Sequence, residues 1–243
     1  LVTGEVVAIE ALARWQHKRR GLLNPHDFLA LAGQAGLVAE IDAQVQRSAL
    51  QQAAAWREAG SELLLSINCS SVQIESADFL PKLESMCAEA GYPLDRLQLE
   101  ITEQTLVRQA ELAASNVQSL RAKGVRVAID DFGMGYSSLT YLRQFPVDVL
   151  KIDRTFIQDI QTLAPARVGV SLADAIIAMA KSLGLALIAE GVEYPAQISY
   201  LDRQACDSAQ SFLFSEPCNA TQMQRLLDHE GFAHLLEAAL PIE

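Results

Sequence analysis

Six short apolar runs in this chain each carry, almost all at or near their ends, a side chain able to hold a cation or move a proton. Glu10 lies in "EVVAIEALARW" (5–15), and Asn68 ends "LLLSIN" (63–68). Glu100 sits near the end of "LQLEIT" (97–102), with Glu103 just beyond it. Asp130 and Asp131 end "VRVAIDD" (125–131), Lys151 and Asp153 end "VDVLKID" (147–153), and Glu190 falls late in "LALIAEG" (185–191). A seventh, weaker run, "SAQSFLF" (208–214), carries Gln210. If these runs are parallel strands, the acids, amides and lysine gather at one end of a sheet, where barrel active sites are built. Two carboxylates roughly 4 Å apart repel by about 4 kcal/mol at an effective dielectric of 20. Such a ring therefore needs protons or cations. An all-oxygen donor set selects a hard ion such as Mg²⁺, Mn²⁺ or Ca²⁺. His17, His26, His229 and His234 lie off these ends, which argues against a histidine-based zinc or iron centre.

Each residue alone has an ordinary explanation. Glu103 suits the first turn of a helix, where the dipole favours a carboxylate. Asp153 can cap the following helix, Asn68 can be a turn residue, Lys151 an ion-pair partner and Arg14 a solvated arginine. The recurrence on successive run ends shifts the balance towards a site. Strand periodicity places Glu10, Leu12 and Arg14 on one face, so Glu10 can serve a metal and Arg14 an anion. Asp130 and Asp131 point to opposite faces of a continuing strand. They reach one site only if the chain turns, and "FGMG" (132–135) is the expected turn. The "DFG" triplet at 131–133 is also a kinase magnesium signature, but no HRD loop or glycine-rich nucleotide loop accompanies it.

The elements that must position these residues alternate. Helical patterns at 26–35, 39–59, 78–90, 103–123, 167–183 and 219–229 separate the apolar runs. Gly60, Gly91, Gly124 and Gly184 stand where helices should end, and Pro25 and Pro81 near helix starts. This alternation predicts an α/β fold with a parallel sheet covered by helices. Near-continuous apolar strands fit a barrel of about 250 residues. A doubly wound open sheet is the alternative, but no glycine-rich fingerprint follows the first run. No linker or charge block divides the 243 residues, so one domain is expected.

Composition narrows the function classes. With 19 basic and 30 acidic residues, the net charge is −11, which argues against a binder of nucleic-acid polymers. A small anionic ligand remains accessible through metal ions. Cys69, Cys87, Cys206 and Cys218 are scattered and read as buried thiols of a reducing compartment. No apolar run reaches the length of a membrane helix, so no direct membrane contact is expected from this segment. The chain opens at Leu1 and enters a strand almost at once, which reads as a piece of a longer protein.

The ordered motifs resemble the EAL domain, the phosphodiesterase domain that opens cyclic di-GMP. The name-giving triplet is Glu10-Ala11-Leu12. "SINCS", "LEITE", "DDFGMGYSSL", "LKID", "EGVE" and "AQSFLF…P" follow in the family's order, from about residue 4 to about residue 228. The resemblance implies a modified (β/α)8 TIM-like barrel with one antiparallel strand, whose usual opening strand would precede Leu1. It implies two Mg²⁺ or Mn²⁺ ions. Glu10, Asn68, Glu100 and Asp130 would hold one. Asp130 would bridge to the second with Asp131 and Glu190, the latter also counted as catalytic. Lys151 would contact the nucleophilic water or the scissile phosphate. Arg14 would bind a substrate phosphate, Gln210 would support the water network, and Glu103 would act indirectly through the loop after Asp131. The implied reaction is hydrolysis of cyclic di-GMP to linear pGpG; a silent cyclic di-GMP receptor and an unrelated metal-dependent barrel enzyme are the alternatives. A cytoplasmic domain, pairing as a homodimer and preceded by sensory or GGDEF domains in a parent that is itself sometimes membrane-anchored, is the expected setting. Four departures from the family pattern stand out: Met134 for threonine, Gln210-Ser211-Phe212 for Gln-Gly-Tyr, Ala205 for glycine, and Ala32-Gly33 for Ala-Glu.

Overall fold

The computed structural model describes residues 1, 3–108, 110–133, 142, 145–162, 172–228 and 232. The chain divides into two units, Val7–Val127 and Leu1–Val6 with Ala128–Glu243.

In the Val7–Val127 unit, β1 (Ala8–Ala11), β4 (Leu64–Asn68) and β5 (Leu97–Thr102) pair in parallel in that order. Between β1 and β4 come a hairpin of β2 (Trp15–His17) and β3 (Gly21–Leu23), then α1 (Pro25–Gln34) and α2 (Val38–Glu58). Helices α3 (Ser71–Ile74) and α4 (Phe79–Ala90) lead to β5, and α5 (Glu103–Arg108) and α6 (Ala110–Ala122) follow it. Pro25 opens α1 as expected, and the Asp27 carboxylate accepts the Asn24 N–H at 3.0 Å to cap it. Helix α4 ends at Gly91, whose φ of 70° is the left-handed conformation that a Cβ disfavours.

The run at 5–15 is not one strand. It ends at Ala11, and Leu12–Arg14 leads into the hairpin, so the shared face of Glu10 and Arg14 does not follow from strand periodicity. The hairpin, unforeseen from the sequence, also puts His17 at a strand end. Its Nδ1 accepts the backbone N–H groups of Arg19 and Arg20, each at 3.1 Å, which makes it a turn residue.

The other unit pairs β6 (Arg126–Phe132, entering from the first unit), β7 (Val149–Ile152), β8 (Ala186–Glu190) and β9 (Ser208–Gln210) in parallel. Helices α7 (Arg154–Thr162) and α8 (Leu172–Ser182) lie between β7 and β8, α9 (Pro195–Arg203) between β8 and β9, and α10 (Ala220–Leu227) follows. Helices α7 and α9 went unread in the sequence because their apolar positions sit in short segments between strong strand signals. Asp153 takes its ordinary role: its Oδ1 accepts the Thr155 N–H at 2.8 Å and the Thr155 hydroxyl at 2.6 Å at the start of α7.

Strands β5 and β7 are buried almost throughout, the signature of sheets covered on both faces. Along them, aliphatic and polar side chains alternate. Leu97, Leu99 and Ile101 flank Gln98 and Glu100, and Leu150 and Ile152 flank Lys151. One face of each strand is thus apolar and packed, and the other carries polar groups that burial obliges to find partners. Cys69, Cys87 and Cys206 are buried as expected, whereas Cys218 is half-buried; all four are free thiols. Among the described residues, no helix is long and apolar enough to cross a membrane.

Candidate active site

In the Val7–Val127 unit, strand register sets the first group. Glu10 pairs with Ser66, Ser66 with Gln98, and Asn68 with Glu100. Parallel partners share a face, so Glu10, Ser66 and Gln98 form one row, with Asn68 and Glu100 a row beyond. The side chains link these rows diagonally. Asn68 Nδ2 donates to Glu10 Oε1 at 2.9 Å, and Ser66 Oγ donates to Glu100 Oε1 at 2.6 Å. Gln98 Nε2 donates to Ser66 Oγ at 3.0 Å. With its nitrogen committed to Glu10, Asn68 offers a cation its oxygen. Behind Asn68, the buried amides of Gln46 and Gln73 bond each other, and Gln46 Nε2 also donates to the Asn68 carbonyl at 3.0 Å. Sequence reading missed Gln46, Gln73, Ser66 and Gln98. Their signal was present: Ser66 and Gln98 share strand phase with Asn68 and Glu100, and Gln46 and Gln73 are buried polar residues on helices.

Two other expected residues of this unit fall elsewhere. Arg14 is half-buried after β1 and donates Nη1 to the Ala13 carbonyl at 2.8 Å. Glu103 opens α5 but is buried, so it is more than a solvated helix-start carboxylate.

The second group lies wholly in the other unit. Carboxylate oxygens of Asp130, Asp131 and Glu190 come within 4.8 Å of one another. Lys151, only 1% exposed, places Nζ 2.8 Å from Glu190 Oε1 and 3.2 Å from Asp130 Oδ1. Asp130 Oδ1 is itself buried and makes no hydrogen bond, so its contact with the ammonium is an ion pair without hydrogen-bond geometry. Gln210 pairs with Glu190 across β8 and β9, and its carbonyl accepts the Gly191 N–H at 3.0 Å.

Both aspartates reach this cluster across a bulge that precedes the expected glycine turn, whose second half lies outside the described residues. From Ile129 to Phe132 the chain advances three residues while β7 advances two, from Leu150 to Ile152. The extra residue is accommodated with Asp131 at φ 52°, a left-handed conformation that a short polar side chain tolerates. Gly133 has a different task. At φ 99°, a Cβ there would meet Phe156 Cε2 at 2.6 Å, so glycine is what lets the aromatic ring pack against the strand end. Met134 and Gly135 lie outside the described residues.

Three carboxylates beside one ammonium leave negative charge in excess. Their oxygen-only donors fit a hard divalent cation, and among the described residues no histidine or thiol joins the group. The chain is matched by the family model described as "EAL domain" over residues 1–217. It belongs to the EAL domain family. It is 38% identical over its whole length to the cyclic di-GMP phosphodiesterase NbdA of Pseudomonas aeruginosa, of which it covers 30%. It is 37% identical over 91% of its length to the cyclic di-GMP phosphodiesterase PdeR of Escherichia coli, covering 33% of that protein. The chain thus spans about a third of these relatives. The solved PaMucR phosphodiesterase in complex with c-di-GMP is 36% identical and matches with a TM-score of 0.82 over 91% of this chain and 89% of that one. The fold class is accordingly the TIM-like α/β barrel type of EAL domains.

Proposed function

We propose that this chain hydrolyses one phosphodiester bond of cyclic di-GMP, giving linear pGpG, with Mg²⁺ or Mn²⁺. The observation that carries the reading is the buried Lys151 held between Glu190 and Asp130 beside Asp131, within a chain that retains Glu10, Asn68 and Glu100. The substrate comes from the relatives, two of which are named cyclic di-GMP phosphodiesterases. Glu10, Asn68, Glu100, Asp130, Asp131 and Glu190 are the residues that would hold the ions. Bound divalent ions would lower the pKa of water and neutralise charge on the phosphate.

The chain's own residues supply the rest. The Lys151 ammonium is pinned by two carboxylates, so its charge is preorganised where negative charge develops on phosphorus-bound oxygen. The Arg14 guanidinium has the geometry to take a phosphate through two N–H groups. Gln210, in register with Glu190, is assigned to orient water, and Glu103 to fix the chain that follows Asp131. The same reading takes the protein as a cytoplasmic homodimer whose longer parent carries sensory or GGDEF domains.

Incubation of the full-length protein with cyclic di-GMP and each metal, followed by nucleotide separation, tests this directly. Formation of pGpG that stops on chelation is expected. Tight calorimetric binding of cyclic di-GMP with no product from folded protein would instead make the chain a receptor.

A further inference from the structure

The relay from Gln98 through Ser66 to Glu100 is not needed to close any strand. Ser66 and Gln98 are buried on the polar face of β4 and β5, in phase with Glu100. A serine hydroxyl carries one proton and accepts on its remaining lone pairs. An ionised Glu100 only accepts, so the Ser66 proton lies on the 2.6 Å contact to Glu100 Oε1. The Ser66 oxygen must then accept from Gln98, and the amide does donate to it at 3.0 Å. The three groups are therefore consistent in one direction only, from amide to hydroxyl to carboxylate.

We propose that Ser66, with its proton directed by Gln98, is a positioning residue that fixes the rotamer of Glu100 for cation binding. The inference rests on the reading of Glu100 as a metal ligand. Hydroxyl and amide partners of this kind set ligand orientation, and their loss typically costs 10- to 100-fold in metal affinity or activity. A hydroxyl merely satisfied within a covered sheet would leave metal affinity unmoved.

The test is calorimetric titration of Mn²⁺ into full-length wild type, Ser66→Ala, Ser66→Thr and Gln98→Met, with cyclic di-GMP turnover followed across metal concentration. Ser66→Ala is expected to raise both the Mn²⁺ Kd and the half-saturating Mn²⁺ for turnover about tenfold. Turnover at saturating metal should fall by less. Ser66→Thr, which keeps the hydroxyl, is expected to restore the Kd to within roughly threefold, and Gln98→Met to give an intermediate value. A folded Ser66→Ala with wild-type Kd and half-saturation overturns the proposal. If Ser66→Ala does not fold, an unchanged Kd in Gln98→Met overturns it equally. Wild type that binds no Mn²⁺ removes the metal reading and this inference together, whereas wild type and Ser66→Ala binding alike remove only this one.

Discussion

The two acidic groups of this protein are held by different means. In the Val7–Val127 unit, Glu10 accepts from the Asn68 amide and Glu100 from the Ser66 hydroxyl. In the other unit, Asp130 and Glu190 are paired with the buried ammonium of Lys151. Neutral donors orient a carboxylate and leave its charge whole. An ammonium orients it and cancels part of that charge. The first arrangement leaves the full carboxylate charge available. The second sets an ammonium among carboxylates that still carry net negative charge and could hold a cation beside it. Identical residue types thus acquire different chemistry from their partners, which explains why counting carboxylates alone describes a site poorly.

That contrast can be broken in order of expected effect. Asp130→Asn should abolish turnover and weaken Mn²⁺ binding by more than about tenfold, while Lys151 keeps Glu190 as its partner. Near wild-type pGpG formation by this variant would remove Asp130 from the ligand set. Lys151→Met should lower turnover by about two orders of magnitude, because charge at the reacting phosphate is lost. It also leaves two carboxylates without their cation, which typically costs about 3–5 kcal/mol. Melting of the variant in EDTA and in Mn²⁺ checks this, since added metal should recover part of the loss. A melting point equal to wild type in EDTA would mean the ion pairs contribute nothing.

Asn68→Asp examines the neutral arm by placing a like charge where an N–H now meets Glu10 at 2.9 Å. Lower stability in EDTA, regained with Mn²⁺, is expected from differential scanning fluorimetry. Insensitivity to metal would mean that Asn68 and Glu10 serve no ion. Gly133→Ala probes the strand end rather than the charges. Its Cβ would press on the Phe156 ring at a left-handed φ, and denaturant unfolding should show a loss of about 1–3 kcal/mol. Ala205→Gly is the smallest. Ala205 sits at φ 49°, where the family pattern has glycine, so relief of backbone strain should outweigh glycine's unfolded-state entropy by less than about 1 kcal/mol. A drop in stability would show that the Ala205 methyl is a packing group.

Much of this was legible in advance for definite reasons. The strand around Glu100 was read to its observed bounds, Leu97–Thr102, because a run of β-favouring residues between turn signals has little else it can be. The helix before Gly91 was read to within a residue at each end, since glycine stops it. Hairpin β2–β3 was not legible, because "ARWQHKRRGLL" shows no strong turn pair and its apolar residues merge with the run before it. Helix α9, from Pro195 to Arg203, escaped because it is short and shares its few apolar positions with the turn after Glu190.

Motif order alone determined the family and nominated the acids, amides and lysine, since side-chain chemistry and spacing are written in the chain. Partners were decided only by tertiary structure. Whether Asp130 and Asp131 share a site depended on a bulge that places Asp131 at φ 52°, a matter of strand pairing that no local pattern encodes. Whether Glu100 meets a cation's charge or a hydroxyl's proton depended on register between β4 and β5. Register is set by packing across residues far apart in sequence, and a shift of one residue would turn every one of these side chains to the opposite face.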